Sequence, residues 1–284
     1  MKGAALWFCL ACALLIGCRS TTFESPQKLG GKTVAAEVLN RGEDVFKRHC
    51  TRCHGSRGNG LTTAMRSKYP PRDLTLGVYK FSSVRAGQLP VDADLKKTIV
   101  KGLGDGRVMP SFGHLDETDL TAVVQYLKTL SSRWREETPG VVVPVLPDPW
   151  TDNMSAAIRR GDEVYHLQAK CWTCHPSYRG SEQLEKALRS LGDASEVRAT
   201  VHQSEPVQSV FGPMNPPDFR KDTLLGGWEN ARLFTTISAG VSGTAMPTWA
   251  DSLSAKDRWA LVHYVRQLDS GTRGSSAVGT NPAR

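Results

Sequence analysis

The chain has 284 residues, with 36 Lys and Arg against 28 Asp and Glu for a formal net charge of +8, and only seven cysteines. That length admits two domains of about a hundred residues each, while the basic excess is scattered and carries no recognition motif, which argues against nucleic acid as a partner. Four of the seven cysteines fall in two short motifs and three lie within the first eighteen residues, so no pair is left for a structural disulfide.

In chain order, Met1-Lys2 precedes an apolar run from Ala4 to Ile16. The run is too short for an ordinary spanning helix and has the charged-then-apolar order of an export leader, read here as residues 1–17. It ends in Leu15-Ile16-Gly17-Cys18. Residues 18–36 are polar, contain glycine and lack a periodic apolar face, so a flexible tether is expected. From Ala36 onward Val38, Leu39, Gly42, Val45, Phe46 and His49 fall at helical spacing and run directly into Cys50-Thr51-Arg52-Cys53-His54. A glycine-rich loop from Gly55 to Gly60 and an extended Pro70-Pro71 follow, then a short helix over Asp94–Lys101 and the segment Met109-Pro110-Ser111-Phe112. Asp116 and Asp119 form a capping signal for a last helix whose stripe is Leu120, Val123, Val124, Leu127 and Leu130. This closes a first unit at 37–132.

Residues 133–155 form a linker. Its prolines, from Pro139 to Pro149, forbid a helix, and its valines predict an extended strap that lies against both units. A second unit at 156–269 repeats the first. Gly161-Asp162-Glu163-Val164-Tyr165 echoes Gly42-Glu43-Asp44-Val45-Phe46, Cys171-Trp172-Thr173-Cys174-His175 echoes the first Cys motif, and Pro216-Pro217 echoes Pro70-Pro71. Met246-Pro247-Thr248-Trp249 echoes Met109-Pro110-Ser111-Phe112, and Ser254 with Asp257 starts the matching last helix. Two departures stand out: Pro176 replaces the glycine at Gly55, and the span from His175 to Pro216 is 25 residues longer than that from His54 to Pro70. The extra length holds a predicted helix near 182–191, read as surface decoration or as an element that docks a partner or covers the second site. Residues 270–284 are rich in Ser, Gly, Thr and Pro and are expected to be disordered. Charge is uneven: net about +7 over 37–135 and about −1 over 151–270.

Each pentapeptide reads C-x-x-C-H. Two thiols can add to the two vinyl groups of one porphyrin, and the adjacent His supplies an imidazole nitrogen to its iron. A zinc knuckle or a redox dithiol is the competing reading of C-x-x-C. Zinc sites pair such motifs about 15–20 residues apart, whereas more than a hundred residues separate these two, and a His follows both. On these motifs and their repeat, the chain resembles the c-type cytochromes over about residues 37–132 and 156–269. The resemblance implies an all-α fold of two tandem cytochrome c domains and two covalently bound haem c groups. Cys50, Cys53, Cys171 and Cys174 would attach them, with His54 and His175 as proximal ligands. It also implies a close crossing of the first and last helices of each domain, at Gly42 with Tyr126 and Gly161 with Tyr264. Met109 and Met246 occupy the place where that family carries its distal ligand, and Met214 is the rival for the second iron. A sixth position closed by methionine suits electron transfer rather than substrate binding. For His49, His114, His166, His202 and His263, solvated or capping roles are expected.

Leu15-Ile16-Gly17-Cys18 is similar to the lipobox of bacterial lipoproteins. That resemblance implies lipidation of Cys18 and a membrane-anchored protein facing the periplasm or cell surface; Arg19 leans it towards the outer membrane. A plain signal peptide is the alternative. The expected function is an electron carrier, not an enzyme, passing single electrons between a membrane quinol-oxidising complex and a downstream oxidase or reductase. Its partners would be redox proteins, one with an acidic docking surface. A dihaem peroxidase, or a fixed cytochrome subunit of a larger oxidoreductase, is the alternative.

Overall fold

The structure, a computed structural model, describes residues 22–66 and 69–269, so the leader with Cys18 and the tail from 270 lie outside the described residues. Gly30 and Gly31, at φ 58° and 80°, turn the chain between β1 (Gln27–Leu29) and β2 (Lys32–Val34), an antiparallel hairpin where a flexible tether was expected. Leu29 and Val34 are buried, the Gly30 N–H donates to the Trp134 carbonyl at 2.5 Å, and Phe23 exchanges two hydrogen bonds with the Asn40 side chain. Two apolar residues are too few to show a period. They bury because Trp134, a hundred residues away, supplies the other wall.

The helices follow the apolar stripes. α1 (Ala36–His49) buries Leu39, Gly42, Val45 and Phe46 and hands the chain to the single turn α2 (Thr51–His54). After α3 (Asp92–Lys101) comes α4 (Glu117–Thr129), whose first turn is closed by the Asp119 N–H donating to Asp116 Oδ1 at 2.7 Å. α5 (Arg133–Glu136) buries Trp134 and opens the linker. The second half contains α6 (Met154–Glu163), α7 (Ser181–Ser190), α8 (Asn230–Ala239) and α9 (Ala255–Asp269). α1 crosses α4, and α6 crosses α9, at the two expected contacts. A Cβ on Gly42 would fall 2.7 Å from Tyr126 Cβ, and one on Gly161 2.6 Å from Tyr264 Cβ, with the carbonyl oxygens of Ala122 and Ala260 closer still. Each crossing closes its own apolar cluster. The fold is therefore all-α in two tandem units, with the hairpin as its one sheet among the described residues. No described helix is long and apolar enough to cross a membrane.

The linker is held at both ends. The N–H groups of Gly140 and Val143 donate to Leu89 and Ser83 carbonyls at 2.9 and 2.7 Å. Further on, Trp259 Nε1 donates to the Leu146 carbonyl at 2.9 Å, and His263 Nε2 lies 2.7 Å from Asp148 Oδ2. The halves also touch directly: Arg85 pairs with Asp251 at 2.8 Å, the Ala86 N–H donates to the Ala239 carbonyl at 2.8 Å, and the Gly104 N–H donates to that of Leu225 at 3.2 Å.

α7 is not surface decoration, because Leu184 and Leu188 are fully buried in the second cluster. Nor are all five remaining histidines solvated. His166 and His263 are buried, each beside an aspartate: His166 Nδ1 is 2.8 Å from Asp162 Oδ1.

Candidate functional site

In the first unit α1 delivers Cys50 at its C-terminal end and α2 turns His54 inward, leaving Cys53 exposed. His54 Nδ1 lies 3.1 Å from the Arg72 carbonyl oxygen. A carbonyl only accepts, so Nδ1 carries the proton and Nε2 presents a lone pair. Burial holds His54 below the ordinary imidazole value, against the opposing effect of that hydrogen bond. The ring is thus neutral with Nε2 free, the state that a metal-bound imidazole would require.

His175 repeats the arrangement, with Nδ1 3.0 Å from the Pro217 carbonyl oxygen and its basicity lowered by burial. The two accepting carbonyls correct the alignment of the repeat. Arg72 matches Pro217, and Asp73 matches Asp218: each Asp Oδ1 accepts from the N–H two residues on, at 2.9 and 3.0 Å. The dipeptides Pro70-Pro71 and Pro216-Pro217 are therefore offset by one residue. Since His54 and Arg72 are 18 apart and His175 and Pro217 are 42 apart, the insertion is 24 residues, not 25.

Both methionine segments fold back on the preceding helix. Gly102 and Gly240 end α3 and α8 at φ 70° and 80°, a conformation that glycine adopts freely. The Leu103 N–H then donates to the Met109 carbonyl at 2.9 Å, and the Val241 N–H to that of Met246 at 3.2 Å. Met109, Phe112 and Cys50 pack on the first apolar cluster; Met246, Trp249 and Cys171 pack on the second. Met214 instead pairs with Val207 in a hairpin, and Met65 and Met154 are exposed.

The second motif is built differently in detail. Ten positions separate Gly161 from Cys171, against eight from Gly42 to Cys50. The surplus is absorbed by a π-helical turn over Val164–Gln168 and by Lys170, a non-glycine residue at φ 49°. Lys170 is held there by Asp193 at 2.5 Å and Ser195 Oγ at 2.8 Å. Arg198 donates to the carbonyls of Trp172 and Thr173 at 2.8 and 3.0 Å, and the Glu205 N–H donates to that of Cys174 at 2.8 Å. All four partners lie in the insertion, which therefore clamps the motif. Only the surplus spacing before Cys171 signals this in the sequence.

The residues fit a covalently attached porphyrin. Burial, with a smaller contribution from the neighbouring thiol, pushes the Cys50 thiol up to about 11 and the Cys171 thiol up to about 12. Burial of this kind suits an uncharged thioether.

Paired vinyl-reactive thiols, a carbonyl-tethered imidazole and a folded-back methionine, on small helical units, define the class of c-type cytochromes. The chain belongs to the family described as cytochrome c oxidase, cbb3-type, subunit III, which matches residues 37–127 and 156–265. It is similar to a chain of the reducing HAO-like protein complex of Kuenenia stuttgartiensis, with 31% identity over 80% of this chain and 95% of that one, at a TM-score of 0.64. Comparison with the curated proteins gave no match. The protein is thus a cytochrome with covalently bound haem c, and its role is electron transfer.

Proposed function

We propose that the protein is a dihaem electron carrier: Cys50 and Cys53 would attach one haem and Cys171 and Cys174 the other, with His54 and Met109, then His175 and Met246, supplying nitrogen and sulfur to the irons. The observation that carries this reading is the duplication. In both units an imidazole donates Nδ1–H to a backbone carbonyl, and a methionine packs on the same apolar cluster as the first cysteine of the motif. When bound, such a group supplies an iron that gains or loses one electron. The chain's own residues would orient each imidazole through the Arg72 and Pro217 carbonyls, keep it neutral, offer the Met109 and Met246 thioethers, and shield the sites from water with Phe112 and Trp249. Thioether ligation favours the ferrous state and raises the potential relative to two imidazoles. A methionine at both positions leaves no vacancy for peroxide, which argues against the peroxidase alternative.

Electrons would pass between a membrane quinol-oxidising complex and a downstream oxidase or reductase. A second reading, a fixed subunit of a larger oxidoreductase, is favoured by the similarity to a chain of a protein complex that is matched over 95% of its length. Copurification with a catalytic partner from native membranes separates the two. The basic first unit would dock an acidic redox partner. Cys18 would carry lipid and hold the protein at a membrane facing the periplasm; Cys18→Ser should then move intact cytochrome to the soluble fraction, and unchanged membrane association would remove the anchor from the reading.

Mass spectrometry of the denatured protein tests the core of the proposal. Two haems should stay attached, and Cys171→Ala with Cys174→Ala should leave one. A single haem in the unmutated protein would overturn the dihaem reading.

A further inference from the structure

Arg72 belongs to both halves of the molecule. Its carbonyl oxygen holds His54, and its guanidinium lies over the Phe211 ring of the insertion, with Cζ 4.1 Å from the ring centroid. Among the described residues it has no anionic partner; its charge lies over the ring and is also felt by the Lys80 ammonium. Phe211 sits at the tip of the hairpin in which Val207 pairs with Met214. The tip is tightened by Ser209 Oγ, which donates to the Gly212 carbonyl at 2.6 Å. Its other side is closed by the loop that leads to Met246: the Val210 N–H donates to the Gly243 carbonyl at 3.0 Å, and a Cβ on Gly243 would lie 2.9 Å from both Phe211 Cε2 and Val78 Cγ1. Gly243 is three residues before Met246, whose own N–H is held by Thr244 Oγ1 at 3.2 Å. Packed atoms therefore run from the His54 imidazole through Arg72 and Phe211 to the Met246 loop. The repeat has no second copy of this path, because the insertion occurs in one unit and the counterpart of Arg72 is Pro217, whose ring cannot reach out.

We propose that Phe211, held by Arg72, is the junction through which electrons pass between the two haem sites. The step moves one electron, one site being oxidised and the other reduced, with no bond made and no proton exchanged. Electron tunnelling weakens steeply where through-bond and van der Waals contact gives way to a gap, and removing the ring opens such a gap in the middle of the path. The halves themselves should stay docked, because Arg85, Ala86, Gly104 and the linker join them independently of Phe211. Phe211 is thus a positioning residue for transfer rather than a ligand.

The inference rests on the reading that both motifs carry haem, so haem stoichiometry is measured first; one haem per chain would overturn that reading and the junction with it. In the full-length dihaem protein, one haem is reduced by a laser-flash photoreductant and redistribution of the electron to the other is followed. Phe211→Leu should slow redistribution at least tenfold with haem content and absorption spectra unchanged. Phe211→Trp should restore it, and Arg72→Gln, which releases the ring from the other side, should slow it as well. Amide exchange at Ala86 and Gly87, whose N–H groups donate to the Ala239 carbonyl and to Ser242 Oγ of the other half, reports docking. Rates within twofold of the unmutated protein in both Phe211→Leu and Arg72→Gln overturn the proposal, as does slowing that merely tracks lost protection at those amides.

Discussion

Methionine is more often packing than ligand, so the assignment of Met109 and Met246 stands on where each is placed. Both follow a glycine with positive φ that ends a helix, and both pack on the cluster that holds the first thiol of their motif. Met214 lies in a hairpin and lacks that setting. Met109→Ala and Met246→Ala should each remove part of the weak near-infrared methionine–iron band of the oxidised protein, lower the potential of one haem and admit carbon monoxide to it when ferrous. Met214→Ala should do none of these. Carbon monoxide binding by the unmutated ferrous protein would show an open iron and revive an enzymatic reading.

At the scale of elements, Asp162 ties three pieces of the second unit together. It lies on α6, accepts from Arg179 Nη2 at 2.5 Å, and faces His166 of the π-helical turn at 2.8 Å. His166 Nε2 in turn accepts from the Tyr178 N–H at 3.2 Å, so its Nδ1 is the protonated nitrogen. Burial would raise the Asp162 carboxyl, but the hydrogen bonds from His166 and Arg179 outweigh it and hold the group down to about 2. A carboxylate of unperturbed value near 3.9 that is depressed on folding stabilises the fold fully above that value. The contribution is lost as pH falls through the folded value. Allowing for partial exposure, it amounts to about 2 kcal/mol. Urea unfolding of the second unit should therefore lose that much between about pH 4 and pH 2, and Asp162→Asn should flatten the loss in that window while lowering stability at pH 7.

Across the whole molecule, charge is divided. The first unit carries the basic excess and the second is near neutral. If an acidic partner docks on the first unit, electron exchange through it should slow as salt rises, because charges farther apart than about 8–10 Å are screened at physiological ionic strength. Exchange through the second unit should change less. Stopped-flow rates against salt concentration check this, and equal slopes at both haems would remove the docking preference. The strap and the direct contacts hold the two units in one relation, so the difference belongs to two faces of one body rather than to separate carriers.

The two C-x-x-C-H motifs and the two methionine segments stand out from residues alone as patterns, and the glycine–tyrosine crossings could be read there too. Covalent chemistry and close backbone approach admit very few residue types, and the internal repeat showed each pattern twice. The carbonyls that hold the imidazoles could not be read so reliably: the doubled prolines suggested a match one residue away from the one that the hydrogen bonds define. The hairpin at 27–34 was missed because its burial depends on Trp134, and the clamp on the second motif because Arg198 reaches carbonyls 25 and 26 residues earlier. Contacts of this kind leave no period and no motif. They exist only once distant segments share a wall, and the Arg72 and Phe211 stack that joins the two halves is of the same kind.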